Sequence, residues 1–242
     1  MKVGDTAVML LNAKNGVEVG SELIWDYIEE FKTPAMFVIN QVDHEKADFD
    51  ATLEQAINRF GPKVLAFQYP VNPGTGFNSI IDALRMVMYV FPAKKKDIPA
   101  SEKDRALAMH NAIVEAAAEE DEGLMERFFE EGTLSEDDLA NGLRIGISKQ
   151  DIFPVFCSSA TQNMGSGRIM GFINDICPAP SERPPKKLEN GQDLPCVTTG
   201  PTTIFIYKTI SEPRVGNVSY FKVYSGVLKA GDELVNSTNS GT

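Results

Sequence analysis

Short, nearly unbroken apolar runs punctuate most of this chain. Residues 6–13 (TAVMLLNA), 35–40 (AMFVIN) and 152–157 (IFPVFC) hold too few polar positions for a sheet with one wet face. Such runs mark strands buried on both faces, the pattern of a parallel sheet. Between the first two, residues 21–32 set Leu23, Ile24, Tyr27, Ile28 and Phe31 on one side of a helix, with Ser21 as its N-cap and Pro34 as its stop. Strand, helix and strand in this order predict parallel pairing through a right-handed crossover.

The following stretch is more varied. Residues 49–60 predict a helix that stops at Gly61-Pro62, and 64–69 a strand that runs into a Pro/Gly turn at 70–76. Residues 80–91 are apolar throughout and fit either helix or strand. Lys94-Lys95-Lys96 and Pro99 predict a surface loop. Three helices are then expected: 101–122 capped by Ser101, 124–131, and 135–149, whose Ser135-Glu136-Asp137-Asp138 resembles a capping-box start. Residues 165–177 form the helix after the third apolar run, with Ile169, Met170, Phe172, Ile173 and Ile176 inward. Gly165-Ser166-Gly167-Arg168 reads as the start of that helix and not as a phosphate cradle. Residues 177–196, rich in Pro and charge, read as an interdomain linker. Beyond them alternation at 201–210 and 216–224, with turns at Ser225-Gly226 and Ala230-Gly231-Asp232, predicts the first hairpins of a barrel. The strands are too few to close one.

Composition narrows the function classes. A 43% hydrophobic content over 242 residues supports packed cores and excludes a disordered chain. A net charge of −11 argues against polyanion binding by the whole surface, while leaving a local RNA contact open. Cys157, Cys177 and Cys196 have no close spacing, which fits reduced thiols and not a disulfide framework. His44 and His110 are the only histidines, and no Cys/His spacing suits a metal. Neither a signal peptide nor a bilayer-spanning run is present, so the expected compartment is the cytoplasm.

Candidate chemistry sits at the ends of two apolar runs. Asn40-Gln41-Val42-Asp43 closes the second, and Ser158-Ser159-Ala160-Thr161 closes the third. Open α/β sheets bind ligands beyond the carboxyl ends of their strands. An Asp there can accept two N–H donors from a guanine edge while an Asn braces the loop. Small residues at Ser159 and Ala160 let a backbone N–H approach the guanine O6. Either pattern alone is weak; two together, each closing a buried strand, are more specific.

At this point the chain resembles elongation factor G, the ribosomal translocase among the translational GTPases. Asp5-Thr6-Ala7-Val8, Asn15-Gly16-Val17-Glu18 and Ser21-Glu22-x-x-Trp25 resemble the run before that family's first guanine loop. GLMERFFEEGTLSEDDLANGLRIG (123–146) resembles the helical part of its G-domain insert, PVFCSSATQNMG (154–165) its second guanine loop, and DICPAPSE (175–182) its exit into a linker. FKVYSGVLKAGDELVNST (221–238) resembles the opening strands of its second, β-barrel domain.

The resemblance implies an α/β fold: the last strands of a P-loop-GTPase-type parallel sheet carrying an α+β insert, then part of a β-barrel. It implies a G-domain half over 1–48 and 150–180, an insert over 49–149, a linker over 181–196 and the start of domain II over 197–242. It implies that Asp43 binds the guanine N1–H and amine, that Asn40 contacts the base or the neighbouring loop, and that Ser159 and Ala160 shape the far side. GTP or GDP with Mg²⁺ is the implied cofactor of the parent protein, with neither expected to bind tightly to this chain alone, the ribosome the implied partner, and ribosomal stalk proteins an implied contact of the insert's acidic helix end. Gln41 stands where the family has Lys, His44 where it usually has Arg, and Ser158 where it often has Gly. No G-x-x-x-x-G-K-[ST] occurs, and no D-x-x-G precedes Asp5, so the chain by itself is expected to be inactive as a GTP hydrolase. A ribosomal-protection or release-type factor, and a nucleotide-independent ribosome-binding paralogue with a degraded guanine site, remain alternatives. With the neighbouring strands of that sheet missing from this sequence, 7–11 is expected to form a bare apolar edge that promotes self-association.

Overall fold

The structure is a computed structural model describing residues 3–92 and 94–237. It forms two compact units that divide between Pro178 and Ala179. The first opens with β1 (Ala7–Asn12), α1 (Val19–Glu30), β2 (Ala35–Asn40), α2 (Phe49–Phe60) and β3 (Val64–Ala66). β1 and β2 pair in parallel from Ala7–Ala35 to Asn12–Asn40, as the strand–helix–strand order predicts, but β1 is not buried on both faces as its apolar run suggested: it ends the sheet, and Val8 and Leu10 are exposed.

α1 departs from expectation at both its start and its face. Its N-cap is Glu18, with no side-chain cap, and Ser21 lies inside the helix. Only Trp25 and Ile28 are buried, while Leu23, Ile24 and Tyr27 are 58%, 44% and 55% exposed. The cause is the indole. Trp25 packs against Phe37, Phe60 and Phe153 at centroid distances of 5.7, 4.8 and 4.9 Å. At about 100° per residue, centring the helix on position 25 turns positions 23 and 27 to the opposite side. α2 matches its expected span, with Asp48 Oδ1 accepting from the Ala51 N–H at 2.9 Å.

The strand expected over 64–69 is two strands in two sheets. β3 joins the parallel sheet, whereas β4 (Gln68–Val71) begins an antiparallel one with β5 (Ser79–Asp82), β6 (Val87–Val90) and β7 (Lys94–Lys96), in that spatial order. Phe67, fully buried, sits at the break. The ambiguous run 80–91 is therefore the β5–β6 hairpin. Lys94–Lys96 is an edge strand paired with Met88–Val90, not a loop. Pairing uses the backbone, so three exposed lysines do not oppose it, and they blunt the edge against further pairing.

Next come α3 (Lys103–Ala118), α4 (Glu122–Glu131) and α5 (Glu136–Lys149). Ser101 is not a helix cap; it lies in a 3₁₀ turn ahead of α3. The expected helix 101–122 ends early because Asp121 Oδ1 accepts from the Gly123 and Leu124 N–H groups and starts α4 instead. Ser135 does cap α5, its Oγ accepting from the Asp138 N–H at 3.2 Å.

β8 (Phe153–Ser158) then enters the parallel sheet between β2 and β3, giving the order β1-β2-β8-β3, and α6 (Ser166–Asp175) follows. Because β3 belongs to this sheet, the segment expected as an insert from residue 49 contributes to the parallel sheet before its own antiparallel sheet begins at Gln68. Each face of the parallel sheet has a core. Met9, Leu11, Trp25, Phe37 and Ile39 pack on one side; Met36, Val38, Phe156 and Phe172 pack with Leu143 on the other.

The second unit holds a short ladder, β9 (Lys186–Lys187) with β10 (Asp193–Leu194), inside the stretch expected as linker. It also holds a long hairpin, β11 (Thr203–Glu212) with β12 (Gly216–Ser225), at the expected alternating segments. The part of the barrel expectation that falls on 238–242 lies outside the described residues. Together the units make a mixed α/β fold with one parallel sheet and further antiparallel ones.

Candidate functional site

β2 and β8 are neighbours in the parallel sheet, and Asn40 pairs with Ser158 at their common carboxyl end. Both loops singled out by sequence thus leave the sheet side by side. Asn40 ties them together: its Oδ1 accepts from Ser158 Oγ at 3.0 Å and from the Ala160 N–H at 3.0 Å. The Val42 N–H donates to the Ser158 carbonyl at 3.3 Å. A second link lies one turn further out, where Gln162 Nε2 donates to Asp43 Oδ2 at 2.9 Å.

Local backbone geometry holds both loops. Gln41 adopts a left-handed φ of 63° and opens a turn closed by the His44 N–H on the Gln41 carbonyl at 3.0 Å. On the other loop Ser159 and Met164 exchange backbone hydrogen bonds of 3.0 and 2.9 Å, and the Asn163 N–H reaches Ala160 O at 3.2 Å. Residues 160–163 are therefore a tight turn with Gln162 near its tip. Gly165, at φ 90°, lies so close behind that a Cβ would come within 2.6 Å of the Cys157 carbonyl oxygen. It precedes α6 as its N-cap, which makes the glycine-rich stretch a helix start.

Of the residues expected at the site, Asn40 and Ala160 are joined directly, and Asp43 is joined to the second loop through Gln162. Ser159 is fully buried, its Oγ 3.4 Å from Thr161 Oγ1. Gln41 is exposed and turns toward β1, its Oε1 accepting from Asn12 Nδ2 at 2.9 Å. Sequence reasoning passed over Gln162 and Asn12. No motif marks either; only the two-residue step from Ala160 to the tip of the turn points to Gln162. Cys157 is fully buried beneath this loop, and burial pushes its thiol well above the ordinary value, so it acts as a core residue and not as a nucleophile.

An ionised carboxylate offers about four acceptor positions, of which the protein uses one at Asp43. The pair of loops can thus present a carboxylate, a bracing amide and small side chains to one planar edge bearing N–H donors. The phosphate end is different. The sequence has no G-x-x-x-x-G-K-[ST], and among the described residues no cluster of three or more His, Cys, Asp and Glu could hold a metal. Among the described residues, the two loops offer hydrogen-bonding groups suited to a planar base, and no phosphate-binding motif of that kind accompanies them. A cleft of about 840 Å³ lies elsewhere, lined by residues such as Arg85, His110, Leu139 and Asp175. Among the described residues no helix is long and apolar enough to cross a membrane.

Residues 1–179 match the elongation factor Tu GTP-binding domain family. A crystal structure of a protein from Thermus thermophilus is similar at a TM-score of 0.83 and 26% identity, over 98% of this chain and 34% of that one. The chain therefore spans about a third of that protein's length. Most of this chain falls within one family match, and it belongs to the elongation factor Tu GTP-binding domain family of translational GTPases.

Proposed function

We propose that loops 40–43 and 158–162 bind the guanine base of GTP or GDP. We further propose that the protein carrying this chain is an elongation-factor-G-like GTPase serving ribosomal translocation. One observation carries the base reading: a single side-chain oxygen, Asn40 Oδ1, joins two loops 118 to 120 residues apart in sequence into one slot beside Asp43. In this reading Asp43 takes the guanine N1–H and amine, and Asn40 braces the slot. Ser159 and Ala160 line its far side, and Gln41 borders it without charge. The extended likeness over 123–146 and 221–238 supports elongation factor G over a ribosomal-protection or release-type factor. The ribosome is the partner this assigns, with the α3–α5 region facing its stalk proteins.

Titration of GDP against this chain and its Asp43→Ala variant tests the base reading. A charge-assisted hydrogen bond contributes about 1.5–3 kcal/mol, so the variant is expected to bind about tenfold or more weakly. Equal affinity of the two proteins would remove Asp43 from the base. One observation favours the nucleotide-independent alternative: the Ala160 N–H is already satisfied by Asn40, so O6 would have to compete for it. Absence of GDP binding both by this chain and by the longer protein that carries it favours that alternative, whereas binding by the longer protein alone favours the elongation-factor-G reading.

A further inference from the structure

We infer that Gln162 is a positioning residue for guanine recognition, holding the Asp43 carboxylate in the orientation that reads the base; this rests on the guanine reading above. Asp43 stands on a loop at the surface, only partly covered, and its own turn is closed by backbone hydrogen bonds that leave its side chain unfixed. The hydrogen bond from Gln162 Nε2 to Asp43 Oδ2, at 2.9 Å, supplies that constraint from the opposite loop. Gln162 is itself held, because the Ser159–Met164 backbone pair and the Asn163-to-Ala160 bond close the turn on which it sits. Its amide therefore approaches Asp43 from a fixed base and not from a free strand.

The chemistry allows both partners at once. A carboxylate oxygen accepts two hydrogen bonds, so Oδ2 can keep the Gln162 amide while the base takes its other lone pair and Oδ1. Ordering a flexible side chain before the ligand arrives removes that ordering cost from binding. The link also sets the gap between the loops at its outer end, as Asn40 to Ala160 sets it at the inner end. A flat purine needs both ends at one spacing. Gln162 is thus assigned to discrimination of the guanine 2-amino group, acting through Asp43.

The test compares GMP with IMP, which lacks the 2-amino group, by NMR titration of the full chain. Three proteins are used: wild type, Gln162→Leu, which keeps the size and removes the donor, and Gln162→Lys, which keeps a donor. Gln162→Leu is expected to weaken GMP binding about three- to tenfold and to shrink the GMP-to-IMP preference, with Gln162→Lys retaining both. In the wild type the Gln162 side-chain amide resonance should shift on GMP addition. Unchanged or tighter GMP binding by Gln162→Leu, with wild-type preference over IMP, overturns the positioning role while leaving the guanine site standing. If wild type itself binds neither nucleotide, the guanine reading fails and the inference falls with it. Loss of thermal stability in Gln162→Leu without a change in the GMP-to-IMP ratio marks a purely structural contact and also overturns the inference.

Discussion

Asp82 shows how much one buried carboxylate can determine. It is 1% exposed, and burial raises its pKa from the ordinary 3.8 against the opposing pull of the Arg85 N–H, Gln68 and the Arg85 and Arg168 charges. Gln68 Nε2 donates to it at 2.9 Å, while Gln68 Oε1 finds no partner among the described residues. The folded state holds this proton more tightly than the unfolded one, so its contribution to stability falls as pH rises from the ordinary carboxylate range through the raised folded value. Asp82→Asn removes the titration, and Gln68 can flip to accept from the new amide. Urea denaturation of both proteins should therefore show the Asp82→Asn variant gaining relative to wild type as pH rises above the ordinary carboxylate value of 3.8; a constant difference would refute the shift. Asp82→Ala strands Gln68 and is expected to cost about 1–3 kcal/mol. At the slot, Gln41→Lys puts a cation where a neutral amide now meets Asn12 and is expected to tighten GDP binding severalfold; an unchanged Kd would place position 41 away from the nucleotide. The meeting of the two loops was legible in sequence because Asn40 and Ser158 close neighbouring apolar runs. Gln162 was not, because its role comes from a turn geometry that no residue type announces.

Packing between elements is tightest where glycine permits it. On α5, a Cβ at Gly142 would come within 2.4 Å of the Ala117 carbonyl oxygen on α3. Gly142→Ala must separate the two helices and is expected to cost about 1–3 kcal/mol. On α6, Gly171 has open space around it, so Gly171→Ala is expected to stabilise by up to about 1 kcal/mol through helix propensity. Opposite shifts in the urea midpoint check the pair; two equal shifts would mean that propensity, not contact, governs position 142. The same scale shows what patterning can carry. Apolar runs at β1, β2 and β8 announce parallel strands, although only β2 and β8 are buried along their length while β1 buries alternate residues. The β4–β7 sheet was hidden for the converse reason: β5 is buried throughout and β6 buries consecutive residues, so neither alternates, and Lys94–Lys96 pairs through backbone alone. α1 misled because the expected apolar side left out Trp25, the largest side chain on the helix, which takes the buried stripe together with Ile28.

At the scale of the molecule, β1 ends the sheet order, and its Val8 and Leu10 side chains are 44% and 65% exposed. An apolar edge of this kind invites pairing with a second copy. Opposing it is a net charge of −11 on each copy. Self-association is therefore expected to be weak at low ionic strength and to strengthen as salt screens the repulsion, with Leu10→Lys holding the protein monomeric. Sedimentation velocity across a salt series measures this; a monomer at every salt concentration would show the edge to be protected.

The parallel sheet is also threaded out of turn. Its middle strand, β8, begins at Phe153, long after both of its neighbours have been made. At about 5–20 residues per second, the ribosome delivers that filler on the order of ten seconds after β3. Until then β2 and β3 lack the strand that lies between them in the finished sheet. Asn40 has neither Ser158 nor Ala160 to hold until then, so the slot takes shape only when β8 arrives.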